Sequence, residues 1–184
     1  AISRAKNDGL TADQMEDRAI THHERLVARF ARRYAAELKR LDALDFDDLL
    51  LEGLRLLQEA PAVADRYRAK WEYLHVDEYQ DTNHAQYALI RELTKPIDPK
   101  FALPEGKTGE LVGPASLTVV GDSDQSIYAF RGADIRNISE FSKDFQGAHT
   151  ILLEQNYRST QNILSAANAV ISKNFDRPDK NLWT

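Results

Sequence analysis

The sequence predicts an α/β fold, in which a parallel sheet with crossover helices follows a helical segment. Three observations lead to this prediction. The first third of the chain places apolar residues at helical spacing. Short apolar segments bounded by polar turns then predict strands, and these strands alternate with further helical segments. Strands that alternate with helices are typical of a parallel sheet, because each crossover helix returns the chain to the same end of the sheet.

The composition excludes several classes of site. No cysteine occurs among the 184 residues, which excludes disulfides, thiolate metal sites and a cysteine nucleophile. No apolar run approaches the roughly 18 residues that span a bilayer, so we expect no membrane partner. The net charge of −5 makes nucleic acid a less expected partner, although a basic groove on an acidic body still binds it. The lack of cysteine fits a reducing compartment, and we expect a cytoplasmic location.

The helical segment has two clear signals. Thr11 is followed three residues later by Gln14, which is the spacing of a capping box at the start of a helix. Basic residues then alternate with apolar ones, which predicts an amphipathic helix with a basic outer surface. That surface is either an ordinary solvated face or a stretch near a nucleic-acid backbone. The apolar residues recur near the helical period at Leu26, Val27, Phe30, Tyr34, Leu38 and Leu41.

Caps and breakers place the other helices. An acidic first turn predicts a helix from Asp45, and Pro61 ends it. Residues 65–70 are expected to form a charged connector. The predicted caps of two later helices are Asn83 and either Ser159 or Thr160.

The strands are short and apolar. Between the first and the second, a segment rich in proline and glycine predicts a loop or insertion over residues 95–114. Each of the three strands leads into a polar segment, so candidate functional residues follow all of them. The predicted strands cover residues 73–76, 117–120 and 150–153.

The sharpest chemical signal is a pair of acids at the end of the first predicted strand. Asp77 and Glu78 directly follow the apolar residues 73–76. Ligands of open α/β folds bind at the carboxyl edge of the sheet. There, one acid can hold the magnesium shell of a nucleotide and the next can deprotonate the attacking water. Because two acids after an apolar segment are common by chance, this pair alone does not settle the function.

The two later strand ends carry groups suited to phosphate. Gly121 permits a tight turn off the sheet, and Gln125 can hydrogen-bond a phosphate or a water without adding charge. Arg158 stands at a strand-to-helix junction, and an arginine fork suits a phosphate that gains charge in the transition state. The alternative for Arg158 is an ion pair with a neighbouring carboxylate. Because each group follows a strand, all would face one edge of one sheet together with Asp77 and Glu78.

An aromatic cluster follows the second strand as well. Sites for single-stranded nucleic acid combine base stacking with cationic contacts, which suits Tyr128, Phe130 and Arg131. In the alternative interpretation, both aromatic residues belong to the core and the arginine pairs with Asp134. The residues alone favour this alternative.

Taken together, these segments resemble the motifs of UvrD/Rep/PcrA-type superfamily 1 DNA helicases. They occur in the order of the family over residues 45–184, whereas residues 1–44 resemble the end of its helical insertion more weakly. The resemblance implies a partial RecA-like P-loop NTPase domain preceded by helices. The matching segments are Phe46-Asp47-Asp48-Leu49-Leu50 upstream of motif II, residues 76–83 (Walker B, motif II), residues 120–134 (motif III) and residues 155–160 (motif IV).

The resemblance implies an ATP-driven motor that moves 3′ to 5′ on single-stranded DNA and unwinds duplex junctions. Asp77 would engage Mg²⁺ through its water shell, and Glu78 would be the catalytic base. Gln125 would sense the γ-phosphate of ATP, and Arg158 would contact it.

On the DNA side, the resemblance implies that Tyr128, Phe130 and Arg131 meet the strand and couple it to the nucleotide site. Phe130 stands where the family usually has tryptophan. A phenyl ring still stacks on a base, with less surface.

The phosphate loop of the family is missing from this sequence. That loop needs G-x-x-x-x-G-K-[ST] after a strand, whereas Gly106-Lys107-Thr108 has Phe101 in place of the first glycine and no strand before it. We therefore expect residues 1–44 to be the end of the helical insertion and residues 45–184 the C-terminal part of the first motor domain. The isolated chain is then expected to be inactive, and a strand-exchanged dimer would cover the sheet edge left open.

Two other functions stay open. A module that binds DNA or protein without hydrolysis would have no use for Asp77, Glu78, Gln125 and Arg158, which argues against it. A subunit of a helicase-nuclease is the second alternative, and the sequence shows no cluster of nuclease carboxylates.

Overall fold

The computed structural model describes residues 1–97, 114–173 and 180–184. In these residues a helical segment leads into a small parallel sheet, which confirms the predicted α/β class. Most of the predicted loop at 95–114 lies outside the described residues, and so does Gly106-Lys107-Thr108. None of the described helices is both long enough and apolar enough to cross a membrane.

The helical segment consists of α1 (Ile2–Asn7), α2 (Ala12–Arg18) and α3 (His22–Arg40). The capping box predicted at Thr11 is confirmed, and Thr21 begins α3 through a second one. Helix α2 packs along α3, in which the buried residues are Ala28 and Ala31. Four members of the apolar stripe are exposed, namely Leu26, Phe30, Tyr34 and Leu41.

Helix α4 (Phe46–Glu59) confirms the prediction of a helix near Asp45 that has an acidic first turn and ends before Pro61, and the structure shows that Asp45 is its N-cap. The Asp45 carboxylate accepts a hydrogen bond from the Asp48 N–H at 2.9 Å, and both acids pair with Lys6 of α1. Desolvation would lower the pKa of Lys6, but its hydrogen bonds to these two carboxylates raise it above the ordinary value. Helix α4 is thereby held against α1.

The predicted charged connector at residues 65–70 is wrong, because most of it belongs to helix α5 (Pro61–Arg68). Asp65 and Arg68 of this segment are buried in ion pairs, whereas Arg66 and Lys70 are exposed. Arg68 Nη1 lies 2.7 Å from Asp65 Oδ1, and its Nη2 lies 2.8 Å from Glu92 Oε1. Arg68 Nε also donates to the Glu92 carbonyl at 2.9 Å. These contacts fasten α5 to helix α6 (His84–Leu93), which Asn83 caps as predicted.

The sheet has two strands, β1 (Tyr73–Val76) and β2 (Ser116–Val119), which pair in parallel with Val76 opposite Val119. The first strand is confirmed, and the second begins one residue earlier than predicted. The third predicted strand, at residues 150–153, is wrong. Its apolar side chains are exposed, and residues 150–153 pair with no strand among the described residues. A single parallel bridge between Gln155 and Trp183 forms farther along.

Short helices complete the described chain: α7 (Arg136–Ser139), α8 (Phe141–Asp144) and α9 (Gln161–Ile171). Thr160 is the N-cap residue of α9, as predicted, although its side chain makes no capping hydrogen bond. Behind the sheet edge, Tyr79 is fully buried and packs edge-on against Phe141, with ring centroids 5.5 Å apart. This packing places the loop after β1 over the small helices.

Candidate functional site

The acid pair after β1 lies in a tight turn. Asp77 Oδ1 accepts a hydrogen bond from the Glu78 N–H at 2.8 Å, and Glu78 adopts a left-handed backbone with φ 50° and ψ 42°. The chain then returns to the sheet, because the Tyr79 N–H donates to the Val120 carbonyl at 2.9 Å. A left-handed backbone is costly for a residue other than glycine, and such strain concentrates at functional sites. Both acids are exposed at the carboxyl edge of the sheet, as the sequence predicts.

Gln80 connects the groups at this edge of the sheet, and sequence reasoning missed it. It is 1% exposed, and its Nε2 donates to Glu78 Oε2 at 2.7 Å and to Asp81 Oδ2 at 3.2 Å. Its Oε1 accepts from the Asp122 N–H at 3.0 Å. Because an amide both donates and accepts, this one side chain joins the acids after β1 to the loop after β2. The available signal was a neutral amide two positions after the acid pair at a strand end.

Glycine is needed at position 121 for a different reason from the one predicted. Its backbone is not in the left-handed region that only glycine adopts easily. A Cβ there would lie 2.7 Å from Gln80 Oε1 and 2.9 Å from Ile138 Cδ1. The glycine is therefore required for the close approach of the two loops rather than for the turn itself.

The loop after β2 is organised by Asp122. This residue caps the 3₁₀ turn Ser123–Gln125, and its Oδ2 accepts from Gln125 Nε2 at 2.7 Å. The ammonium of Lys180 pairs with Asp122 and lies 3.0 Å from Asp124 Oδ2. Desolvation would raise the pKa of Asp122, but the hydrogen bonds from Lys180 and Gln125 outweigh it and hold the pKa below its ordinary value. Sequence reasoning missed Lys180, which lies 58 positions from Asp122.

The aromatic pair is on the surface. Tyr128 is 38% exposed and Phe130 is 78% exposed, with ring centroids 5.9 Å apart and an angle of 44° between the planes. Asp134 is bound by Arg136, whose Nε donates to its carboxylate at 2.9 Å. These positions disagree with the alternative in which the rings belong to the core. The Arg131 backbone ends a 3₁₀ turn, and its side chain lies outside what the structure describes.

An open cleft of about 380 Å³ lies beside the acid pair. Asp77, Glu78 and Asp81 line it together with residues of α6, including Gln86 and Ile90. The Asp81 Oδ1 atom is buried and has no hydrogen-bond partner among the described residues. The cleft therefore offers carboxylate oxygens that the described protein groups do not satisfy completely.

These carboxylates fit magnesium rather than a metal held wholly by protein. Mg²⁺ keeps several waters and is usually bound by one or two carboxylates together with substrate phosphates. Among the described residues, no cluster of three or more ligating side chains is arranged to enclose a metal. Asp77 and Asp81, which both line the cleft, match the sparse oxygen set that magnesium takes in nucleotide sites.

Arg158 is not brought to this cleft. Its side chain is exposed, and its backbone N–H donates to Asn156 Oδ1 at 2.9 Å. Within the described parts of the chain, contacts connect Glu78 with Gln125 through Gln80 and Asp122, but no described contact includes Arg158 in that network.

Comparison with known proteins identifies the class to which this fold and site belong. The sequence matches the UvrD/REP helicase N-terminal domain over residues 1–146 and the UvrD-like helicase C-terminal domain over residues 151–184. The chain therefore belongs to the UvrD/REP helicase family, which confirms the resemblance carried by its motifs. The division at residue 44 stays a prediction.

Among particular relatives, the chain is 49% identical over 183 residues to the ATP-dependent DNA helicase PcrA of Leuconostoc citreum. It is 50% identical over 193 residues to the ATP-dependent DNA helicase UvrD1 of Mycobacterium tuberculosis. It is 47% identical over 184 residues to the ATP-dependent DNA helicase PcrA of Staphylococcus aureus. Each match covers 100% of this chain but only 22% or 23% of the relative.

Proposed function

We propose that this chain is part of an ATP-dependent DNA helicase, in which hydrolysis drives 3′ to 5′ movement on single-stranded DNA and unwinding at duplex junctions. The observation that carries the proposal is the contact network centred on Gln80. It connects an acid pair at a sheet edge with the loop that presents Gln125 and the exposed aromatic pair. A motor needs such a connection, because the nucleotide state must alter the grip on the strand.

At the nucleotide side, Glu78 is the proposed general base. Gln80 Nε2 donates to its carboxylate at 2.7 Å, which fixes one oxygen and leaves the other to accept the proton of the attacking water. Asp77 would hold Mg²⁺ through water, and the bound ion would neutralise charge that develops on the phosphates. Gln125 would sense the γ-phosphate. Arg158 would contact it from the segment that matches the C-terminal domain, as arginine fingers do.

The test of the nucleotide side is Glu78→Gln in the full-length parent protein. We expect kcat for DNA-stimulated ATP hydrolysis to fall by roughly 10²–10⁴-fold, because the amide cannot accept the proton. The matched control is Glu72→Gln, an exposed glutamate just before β1, which should hydrolyse ATP normally. Intact hydrolysis in Glu78→Gln would refute the assignment.

At the DNA side, Tyr128 and Phe130 are proposed to stack on bases, with Arg131 near the backbone of the strand. Removing one stacking ring costs about 1–3 kcal/mol per base, so Phe130→Ala should weaken single-stranded DNA binding by roughly 5–150-fold. Phe130→Trp should keep or improve binding. Phe46→Ala removes an even more exposed ring from α4 and is the control. Equal affinities for the two alanine variants would contradict the stacking role.

The isolated chain is proposed to be inactive, because its sequence has no G-x-x-x-x-G-K-[ST] segment to hold the phosphates. The measurement is ATP hydrolysis by this chain with and without single-stranded DNA, and we expect no turnover in either condition. Turnover would show that another segment binds the phosphates, with Gly106-Lys107-Thr108 as the first to substitute.

The two-stranded sheet also supports a strand-exchanged dimer of the isolated chain. Among the described residues each strand pairs with only one neighbour, so each keeps an open edge that another chain can cover. Light scattering should give twice the mass of 20.9 kDa, and a monomer would count against this assembly. For the parent protein we keep the cytoplasmic location as part of the proposal.

A further inference from the structure

Lys180 makes a contact that none of the proposed roles uses. It belongs to the segment that matches the UvrD-like C-terminal domain, yet its ammonium pairs with Asp122 and Asp124 of the loop after β2. The side chains of Lys180, Asp122 and Asp124 are 18%, 25% and 10% exposed. Charges withdrawn from water to this extent interact more strongly than surface pairs, so removing one of them weakens the hold on the others.

Asp122 connects Lys180 both to Gln125 and, through Gln80, to Glu78. Its carboxylate accepts from Gln125 Nε2 at 2.7 Å, while its backbone N–H donates to Gln80 Oε1 at 3.0 Å. Gln80 in turn donates to Glu78 at 2.7 Å. Lys180 is therefore two contacts from Gln125 and three contacts from the proposed base.

The backbone around Lys180 is held in place independently of its side chain. The Asn181 N–H donates to Glu154 Oε1 at 2.9 Å, and the Trp183 N–H donates to the Glu154 carbonyl at 3.1 Å. The Asn156 N–H donates to the Trp183 carbonyl at 2.7 Å. Lys180 thus extends from a segment fixed against residues 154–156, close in sequence to Arg158.

We propose that Lys180 is a positioning residue, which holds the Asp122 carboxylate and thereby fixes Gln125 for the γ-phosphate of ATP. This inference rests on the proposed function of Gln125 and Glu78. Without the ammonium, the repulsion between Asp122 and Asp124 is no longer offset by Lys180. Among the described contacts of its side chain, the Asp122 carboxylate that orients Gln125 is then held only by the Asp124 N–H and by Gln125 itself. The contact also makes the direction of Gln125 depend on the docking of the C-terminal segment.

The test measures DNA-stimulated ATP hydrolysis by the full-length parent protein. Lys180→Met should lower kcat about tenfold, the lower end of the loss when an orienting partner is removed. The KM for ATP should stay within about twofold, because an interaction made mainly in the transition state acts on kcat. Lys180→Arg, which keeps the charge, should recover at least half of the activity. Lys173→Met, at an exposed lysine seven positions earlier, is the control and should behave as the wild type.

A double variant distinguishes positioning from general damage. If Lys180 acts through Gln125, Lys180→Met should add little to the loss already caused by Gln125→Ala. If the double variant loses a further tenfold or so in kcat relative to Gln125→Ala, the proposal is overturned. A normal kcat in Lys180→Met would overturn it too. An equal loss of ATP and DNA binding with a lowered Tm would assign Lys180 to holding the fold, and would overturn it as well. Intact hydrolysis in both Glu78→Gln and Gln125→Ala would instead refute the underlying function.

Discussion

Adding one methyl group at Gly121 should separate the two loops of the site. In Gly121→Ala the new Cβ would lie 2.7 Å from Gln80 Oε1 and 2.9 Å from Ile138 Cδ1, inside the 3.0 Å limit that real Cβ atoms respect. Overpacking of this kind costs about 1–3 kcal/mol. Displacing Gln80 also breaks its bond from the Asp122 N–H, which contributes about 1 kcal/mol. We therefore expect the free energy of unfolding to fall by roughly 2–4 kcal/mol.

Thermal unfolding followed by circular dichroism measures this loss. For a chain of this size each kcal/mol corresponds to about 2–4 °C, so the Tm of Gly121→Ala should fall by roughly 5–15 °C. The control is Gly53→Ala in α4, where nothing lies within 4 Å of the added Cβ. In Gly53→Ala the added methyl group should raise the free energy of unfolding by about 0.5–1 kcal/mol, because alanine has a higher helix propensity than glycine.

The opposite signs of the two alanine variants are the critical result. If Gly121→Ala melts within about 1 °C of the wild type, below the shift that 1 kcal/mol produces, the close approach to Gln80 is not needed. If both variants lose stability equally, the effect comes from replacing glycine in general. Either result would refute the explanation of Gly121 given above.

Two further substitutions test the interior. Arg68→Met should lower the free energy of unfolding by about 3–5 kcal/mol in urea titrations, because it removes the buried cation that bridges Asp65 and Glu92. Arg66→Met at an exposed position should change it by less than about 0.5 kcal/mol. Burial raises the pKa of Tyr79 from 10.0 to about 12, so the unfolded chain releases this proton first and stability is lost as the pH rises from 10 towards 12. Tyr79→Phe should reduce that alkaline loss, measured as urea midpoints at pH 8 and pH 11, and should not destabilise at pH 8, since the hydroxyl has no hydrogen-bond partner among the described residues. An unchanged alkaline loss would assign the effect to other groups.

Local signals predicted the elements that depend only on neighbouring residues. The caps at Thr11 and Asn83, the helix that starts near Asp45 and the first strand depend on contacts within a few residues, and the structure has all of them. The failures concern partners distant in sequence. Residues 150–153 have strand composition but pair with no described strand, and Arg68, within the predicted connector, is buried because Glu92 of another helix pairs with it.

The residues of the site also divide into those that local sequence predicted and those that depend on distant partners. Asp77, Glu78 and Gln125 were found because each follows a strand, and the sheet brings the first two to the edge expected of them. Gln80 was missed because its importance lies in being buried between two loops, a property that its own neighbours in sequence do not reveal. Lys180 was missed because its partners lie far along the chain.

The bridge between Gln155 and Trp183 supplies an optical reporter within the chain. Only two tryptophans occur in the sequence, and the other, Trp71, lies against Tyr67 with ring centroids 5.3 Å apart. In a Trp71→Phe background all indole emission would come from Trp183, which is 47% exposed where it is docked. Release of residues 180–184 from residues 154–156 would shift that emission to longer wavelength as water reaches the ring. Fluorescence can therefore follow undocking in the absence of ATP hydrolysis.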